Sequence, residues 1–320
     1  MRLVQLLHRS GERRAAAVEG DSLRMLESAS VYAALQSGAA FRATGGTLAY
    51  APIYVGESDW SLLPPIDHPE PARCLVSGTG LTHTRSAANR DAMHAAAQAQ
   101  ITDSMRMYQL GVERGKPAAG EIGAAPEWFY KGSGVILRAH NQPLDVPAYA
   151  EDGGEEPEIA GVYVIDSEGA PRRIGMTQGN EFSDHCFERK NYLNLAGSKL
   201  RTCSIGPELV LDPDFRRVNG NVIIERAGRP VWSADVVSGE GAMCHSLANI
   251  EHHHFKFEAH RRPGDIHVHF FGASAFSFGA GVALEDGDVM QVRFDGFGLP
   301  LCNPIRIDRS PERAIAVRPW

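Results

Sequence analysis

The chain has 320 residues, 43% of them hydrophobic and 22% charged, ordinary proportions for a globular protein with a sizeable core. Its formal net charge is −7, so no basic field exists to draw in phosphates, and neither nucleic acid nor an anionic membrane is expected as a partner. The length exceeds a typical single domain and implies one large unit with a small one.

In chain order, Leu3–Leu7 and Arg14–Val18 flank a Ser-Gly-Glu turn and are expected to form a hairpin, followed by a short helix over Ser30–Gln36. The opening MRLVQLLHRSGERR has only a short apolar run before Arg9 and is not expected to be a signal peptide. Prolines 64, 65, 69 and 71 mark a joint, so residues 1–70 are expected to form a small N-terminal α+β domain and residues 71–320 the main one. An Ala-rich helix is expected from Ser86 to about Val112. Strands are expected over Gly134–Ala139, Glu158–Ile165, Val222–Arg226, Val231–Val237, Asp265–Phe271 and Val289–Phe294. A helix over Cys244–His260 interrupts them, with Leu247, Ile250, His254 and Phe257 on one face. Ile266–Leu284 has no charged residue, yet its histidines, glycines and serines suit two buried strands around a glycine turn better than a membrane span. The fold class that follows is mostly β with peripheral helices. The five cysteines are widely spaced with no CxxC, which suits reduced thiols in the cytoplasm, the expected location.

Three groups of residues have chemistry to offer. Glu156 and Glu158 flank Pro157 at the head of an apolar run, and in a strand they share a face. Adjacent carboxylates repel unless a cation or proton neutralises them, and hard divalent ions prefer oxygen ligands. A solvated acidic turn is the alternative. Downstream, Glu181, Asp184 and His185 are each candidates for a third ligand, and Lys199 follows Gly197-Ser198. The histidines of Glu251-His252-His253-His254 and His267-Val268-His269 suggest zinc, but no HExxH occurs. These histidines are instead expected to support the pocket (His267, His269) or to lie on a helix surface (His252, His253). Gly78-Thr79-Gly80 is only a fragment of a dinucleotide fingerprint, and no GxSxG occurs.

In order, these pieces resemble the fumarylacetoacetate hydrolase superfamily, over about Cys74 to Ile305. Pro126-Glu127-Trp128-Phe129-Tyr130-Lys131 resembles its P-x-x-F-x-K strand, Glu156-Pro157-Glu158-Ile159 its E-P-E-L segment, and Gly179-Asn180-Glu181-Phe182-Ser183 its G-N-D-V-S. Gly287-Asp288-Val289 through Asn303-Pro304-Ile305 resembles its closing pattern. The resemblance implies a distorted β-roll core with a small N-terminal domain. It also implies one Mg2+ (or Mn2+ or Ca2+) held by Glu156, Glu158 and Glu181, the last standing where the family has aspartate. Lys131 and Lys199 match two pocket lysines, implied to be catalytic, with Lys131, Arg85 and Ser86 implied to bind substrate. A homodimer or larger homo-oligomer is implied as well.

Two features choose among the family's reactions. Its carbon–carbon bond hydrolases carry an H-x-x-E pair in a lid, where this chain has Ser86 and Asn89, neither a useful base at neutral pH. His83 stands nearby. Glu188 through Lys199 resembles the E-x-x-N-x-L-Y-L-x-x-x-K insertion of the branch that dehydrates 2-keto-3-deoxy sugar acids. The implied substrate is therefore a small 2-oxo acid, and the implied reaction is dehydration of a 2-keto-3-deoxypentonate to 2,5-dioxopentanoate. An acylpyruvate-type hydrolase and a non-catalytic sugar-acid-binding protein are the alternatives.

Overall fold

The computed structural model describes residues 1–37, 41–84 and 102–320. The N-terminal strands β1 (Arg2–His8), β2 (Arg13–Glu19) and β3 (Ser22–Leu26) form a meander. Helix α1 (Val31–Gln36) follows, its first turn capped by Ser30 Oγ, which accepts from the Ala33 amide at 3.0 Å. Then come β4 (Ala43–Ala49), α2 (Tyr50–Tyr54), β5 (Trp60–Leu63) and β6 (Cys74–Gly80). Of the expected Ala-rich helix, the described part is α3 (Asp103–Arg114), started by a Thr102 cap; residues 85–101 lie outside the described residues.

The second half holds β7 (Glu127–Ser133), β8 (Leu137–Arg138), β9 (Leu144–Val146), β10 (Pro157–Ile165) and β11 (Pro171–Asn180). Helices α4 (His185–Lys190) and α5 (Leu195–Ser198) lead to β12 (Cys203–Ile205), β13 (Leu209–Val210), β14 (Val218–Arg226) and β15 (Arg229–Ser238). Ala227 and Gly228, both at positive φ, make the two-residue turn that joins β14 to β15. The chain closes with α6 (Leu247–Phe255), β16 (Ile266–Phe270), β17 (Val289–Phe294) and β18 (Leu301–Ile307).

Thirteen of these strands join one mixed sheet whose central path runs β4-β3-β2-β1-β13-β11-β10-β16-β6-β7, and the other five form a second sheet ordered β15-β14-β17-β18-β9. The N-terminal meander is continuous with the main sheet through β1, with Arg2 opposite Val210. Every residue of β10 is buried, as its near-continuous apolar sequence demands. Ala160, Val162 and Val164 pack on one side with Val76, Val268 and Phe270. On the other, Ile159 and Met176 meet Val222, Val292 and Phe294 of the second sheet. The fold is thus mostly β with peripheral helices, the expected class.

Several local expectations are corrected. Over Gly134–Ala139 the chain makes a short 3-10 turn and only the two-residue β8, because Gly134 turns closely against Pro71. Ile266–Leu284 contains one strand, not two. Beyond Phe271 the backbone amides of Gly272 and Ser277 donate to Glu158 and Glu155 instead of to a neighbouring strand. Helix α6 is shorter than Cys244–His260; Phe257 falls outside it and is exposed, and His253 is buried with Nε2 on the Gly123 carbonyl.

His267 and His269 pair with Tyr163 and Gly161, so they project from the face of β16 opposite Val268 and Phe270. There they meet His254 in a dry polar core. Trp128 Nε1 donates to His254 Nδ1 at 3.1 Å, His254 Nε2 lies 2.9 Å from His267 Nδ1, and His269 contacts Ser77 and Thr79 hydroxyls at 2.9 and 2.7 Å. Burial holds both strand histidines neutral, pushed down to about 3. Since their folded values lie below that of the unfolded chain, their contribution to stability is complete above about pH 6.5 and falls away as the pH drops toward 3. Urea unfolding at pH 7.5, 5.5 and 4.5 is expected to show declining stability over this window, with a shallower decline in His269→Gln. An unchanged slope in that variant would contradict a neutral buried His269.

Candidate active site

Antiparallel pairing of β10 with β11 assembles the acidic cluster. Pro157 lies opposite Asn180 and Glu158 opposite Gly179, so one step earlier Glu156 faces Glu181. The Glu181 amide donates to the Glu156 carbonyl at 2.9 Å, and the Glu156 amide donates to Asn180 Oδ1 at 3.1 Å. Strand alternation returns Glu158 to the side of Glu156. One oxygen from each of Glu156, Glu158 and Glu181 lies within 4.8 Å of the others, and all three residues are buried. Immediately after Glu181, Phe182 takes a left-handed backbone with φ of 48°, a conformation rare for bulky residues that costs about 1–3 kcal/mol. It turns the chain out of β11 and places its carbonyl 3.0 Å from Lys131 Nζ.

The other candidates for a third ligand are committed elsewhere. Asp184 caps α4, accepting from the Phe187 amide at 2.9 Å, and pairs with Arg201 at 2.8 Å. His185 stands behind Glu156, donating from Nε2 to Glu156 Oε1 at 3.1 Å while its ring stacks on Phe276 at 5.0 Å between centroids.

Both lysines enter the cluster, and both are fully buried. Lys131 Nζ contacts Glu181 Oε1, and also donates to the Phe182 and Lys199 carbonyls at 3.0 and 2.9 Å. Lys199, delivered by the turn of α5, bridges Glu156 Oε1 and Glu181 Oε2 at 2.6 Å each, donates to Ser183 Oγ at 2.9 Å, and lies 4.8 Å from the Phe129 ring centroid. Three carboxylates thus face two ammonium groups. Burial opposes ionisation of Glu156, yet Lys199 and His185 outweigh it and hold that carboxyl well below the usual range. Glu181 is raised by burial and by Glu156, with the lysines partly offsetting. Glu158 is pushed well above the usual range by burial and then by the charges of Glu181 and Glu156. Its carboxylate accepts from the Gly272 amide at 2.7 Å and, among the described residues, has no ion-pair partner. With Glu158 ionised, this all-oxygen donor set would carry one negative charge more than the two lysines neutralise, which fits a hard divalent cation.

Other residues were missed in the sequence. Glu155 anchors the segment after Gly272, accepting from the Ser277 amide and hydroxyl at 2.5 and 2.7 Å. Glu127 shares the buried face of β7 with Phe129 and Lys131. Gly78 and Gly80 of β6 make room for that face: a Cβ at Gly80 would come 2.0 Å from Glu127 Oε1, and one at Gly78 would come 2.4 Å from the Phe129 ring. The Gly-Thr-Gly fragment thus serves close approach of side chains. Alternation from Lys131 was the available signal for Glu127. His83, held neutral by burial at about 4, follows β6 with Nδ1 2.8 Å from Thr82 Oγ1. Arg85, Ser86 and Asn89 lie outside the described residues. Among the described residues no helix is long and apolar enough to cross a membrane.

No protein-family profile matches the sequence, and no curated protein does. Solved structures do. 2-Keto-3-deoxyarabinonate dehydratase, in a hexagonal crystal form, superposes with a TM-score of 0.73 at 20% identity over 97% of this chain and 100% of that one. 2-Keto-3-deoxy-D-arabinonate dehydratase complexed with magnesium and 2,5-dioxopentanoate gives the same four values. The chain has the fold of these proteins. It is also similar to 5-carboxymethyl-2-hydroxymuconate delta-isomerase from Mycobacterium smegmatis, with a TM-score of 0.60 at 20% identity over 96% of this chain and 100% of that one. This is the fold implied by the resemblance to the fumarylacetoacetate hydrolase superfamily.

Removing one partner of a buried ion pair leaves an uncompensated charge and costs about 3–5 kcal/mol. Lys199→Met is accordingly expected to lower the unfolding free energy of metal-free protein, obtained from urea titration, by an amount in that range. Millimolar Mg2+ is expected to restore part of the loss, because an ion that binds only the folded state stabilises it by mass action. A variant as stable as the parent would show that Lys199 does not neutralise the cluster.

Proposed function

We propose that the protein is a metal-dependent dehydratase of a 2-keto-3-deoxy sugar acid, with Mg2+ held by Glu156, Glu158 and Glu181, and Mn2+ or Ca2+ as alternative ions. The observation that carries this reading is the convergence of three buried carboxylates, one lacking an ion-pair partner among the described residues, with two buried lysines. The shared fold with a dehydratase crystallised with magnesium and 2,5-dioxopentanoate supports it. When bound, such an ion acts as a Lewis acid toward a 2-oxo acid and makes the C3 proton more acidic.

The chain's own residues supply the remainder. Lys131, whose contacts are Glu181 and two backbone carbonyls, positions the Glu181 carboxylate. Lys199 and Glu127 are the candidate proton carriers, because both lie beside Phe129: Lys199 over its ring, and Glu127 two residues away on the same strand face. One removes the C3 proton and the other protonates the C4 hydroxyl as it leaves as water, giving a 3,4-unsaturated 2-oxo acid. Loss of a C5 proton and return of a proton to C3 convert it to the C4–C5 enol, which takes a proton at C4 and gives up its hydroxyl proton to become the semialdehyde. Burial of the lysines and carboxylates keeps water from competing for these contacts.

With Mg2+ and a 2-keto-3-deoxypentonate, the expected product is 2,5-dioxopentanoate, read by mass spectrometry. Pyruvate with glycolaldehyde, or cleavage of an acylpyruvate without turnover of the pentonate, would replace this reading with an aldolase or a hydrolase. Glu127→Gln is expected to lower kcat about 10²–10⁴-fold while leaving Mn2+ affinity, followed by electron paramagnetic resonance, unchanged. Glu158→Gln is expected to lose that affinity.

A further inference from the structure

Residues 309–320 form a wholly exposed segment without regular secondary structure. Its sequence, Arg-Ser-Pro-Glu-Arg-Ala-Ile-Ala-Val-Arg-Pro-Trp, alternates small and large apolar residues, so Ile315 and Val317 share one side of the extended backbone. Both are about nine-tenths exposed, and Trp320 is fully so. Among the described residues no hydrogen bond or ion pair ties residues 311–320 to the rest of the chain; the last tether is the Ser310 amide donating to Asp308 Oδ1 at 2.9 Å. A single extended strand has no means of burying its own apolar side chains. Pro311 and Pro319 fix their own φ, and Pro319 biases Arg318 toward an extended conformation, which lowers the ordering needed when the segment finds a surface.

A matching surface lies at its root. A groove of about 530 Å³ has apolar walls that include Val146, Leu284, Ile305 and Ile307. Its charged lining residues are Glu151, Asp152 and Asp308 against Arg189 and Arg309. Apart from Arg309, which belongs to the arm, the groove has three acids against Arg189, and residues 309–320 have Arg309, Arg313 and Arg318 against Glu312, an excess of positive charge that a terminal carboxylate does not cancel. Because Ile305, Ile307 and Arg309 themselves line the groove, a two-fold axis passing near the arm's root brings the partner's arm to the same place, making a self-complementary exchange. Residues 310–320 are exposed and so do not fill the groove of their own chain. We propose that residues 309–320 form an exchanged arm that lies in this groove of a second copy of the chain, with Ile315, Val317 and Trp320 as its apolar anchors. The groove also includes Gly154 and Ser277, residues adjoining Glu155 and held by it, so the partner's arm would brace the segment beside the acidic cluster from behind.

The groove contains a native reporter, the half-buried Cys186. Cysteine is placed in turn at Ile315, Val317 and Trp320 in the full chain, and each variant is treated with a short bis-maleimide. The expected result is a covalent dimer on a denaturing gel from at least one variant, absent when Cys186→Ser is added. In parallel, removing residues 311–320 is expected to halve the sedimentation mass; among the described residues no hydrogen bond or ion pair holds that segment to the rest of the chain, so the body still folds. A bridge formed within one chain would show the arm in its own groove and overturn the exchange. An unchanged sedimentation mass after truncation would overturn it too, as would a full-length chain that sediments as a monomer at tens of micromolar.

Discussion

Neutralising like charges inside a dry sheet is the constraint on which this structure turns. Register places Glu156 directly across from Glu181 in the buried pairing of β10 with β11, and Glu158 follows two residues along. Left alone, such a cluster would expel its own charge by taking up protons or would open the sheet to water. Lys199, bridging Glu156 and Glu181, and Lys131, on Glu181, make the arrangement tolerable. Both lysines come from outside the hairpin, one from β7 and one from the turn of α5, so the site exists only when three separate stretches of chain have come together. The shortfall of one positive charge leaves Glu158 as the place where an added cation gains most.

The run Glu155-Glu156-Pro157-Glu158 divides its work by direction. Glu155 points back to grip Ser277, Glu158 takes the Gly272 amide, and Glu156 faces Glu181 and His185. The segment from Gly272 to Phe278 is therefore suspended from the same turn that supplies two of the three cluster carboxylates, and Phe276 from that segment stacks on the histidine behind Glu156. A shift of this segment would be felt at the cluster through two carboxylates and one imidazole, which makes its support a condition for the site's geometry.

The same strands separate two polar interiors of opposite character. On the Glu158 side, carboxylates and ammonium groups compensate one another. On the other side His254, His267 and His269 bond largely to one another, Trp128, Ser77 and Thr79, form no ion pair among the described residues, and remain neutral. Histidine suits that second interior because a neutral imidazole both donates and accepts a hydrogen bond, whereas a carboxylate there would stand without a cation.

Much of this was legible in the sequence, because it depends on neighbours along the chain. The apolar run after Glu158 required a buried strand, alternation placed Glu156 and Glu158 on one face, and the Ser-Gly-Glu turn set the first hairpin. The order of the four motif segments indicated the fold. What the sequence left open was decided by contacts between distant segments. Residue types alone offered Glu181, Asp184 and His185 as a third ligand and the motif resemblance pointed to Glu181; the cross-strand register, with Arg201 claiming Asp184, supplies the physical reason for that choice. The sequence predicted a second strand beyond Phe271, where Glu155 and Glu158 instead capture the backbone amides the strand would have needed. It placed His253 on a surface that the Gly123 carbonyl covers. It passed over Glu127, whose meaning arises only when two glycines of β6 let its face of β7 close against them. Local periodicity records which side of an element is apolar; which charge meets which is fixed by packing, since electrostatic partners are chosen in three dimensions and a buried charge is tolerated only where its partner arrives.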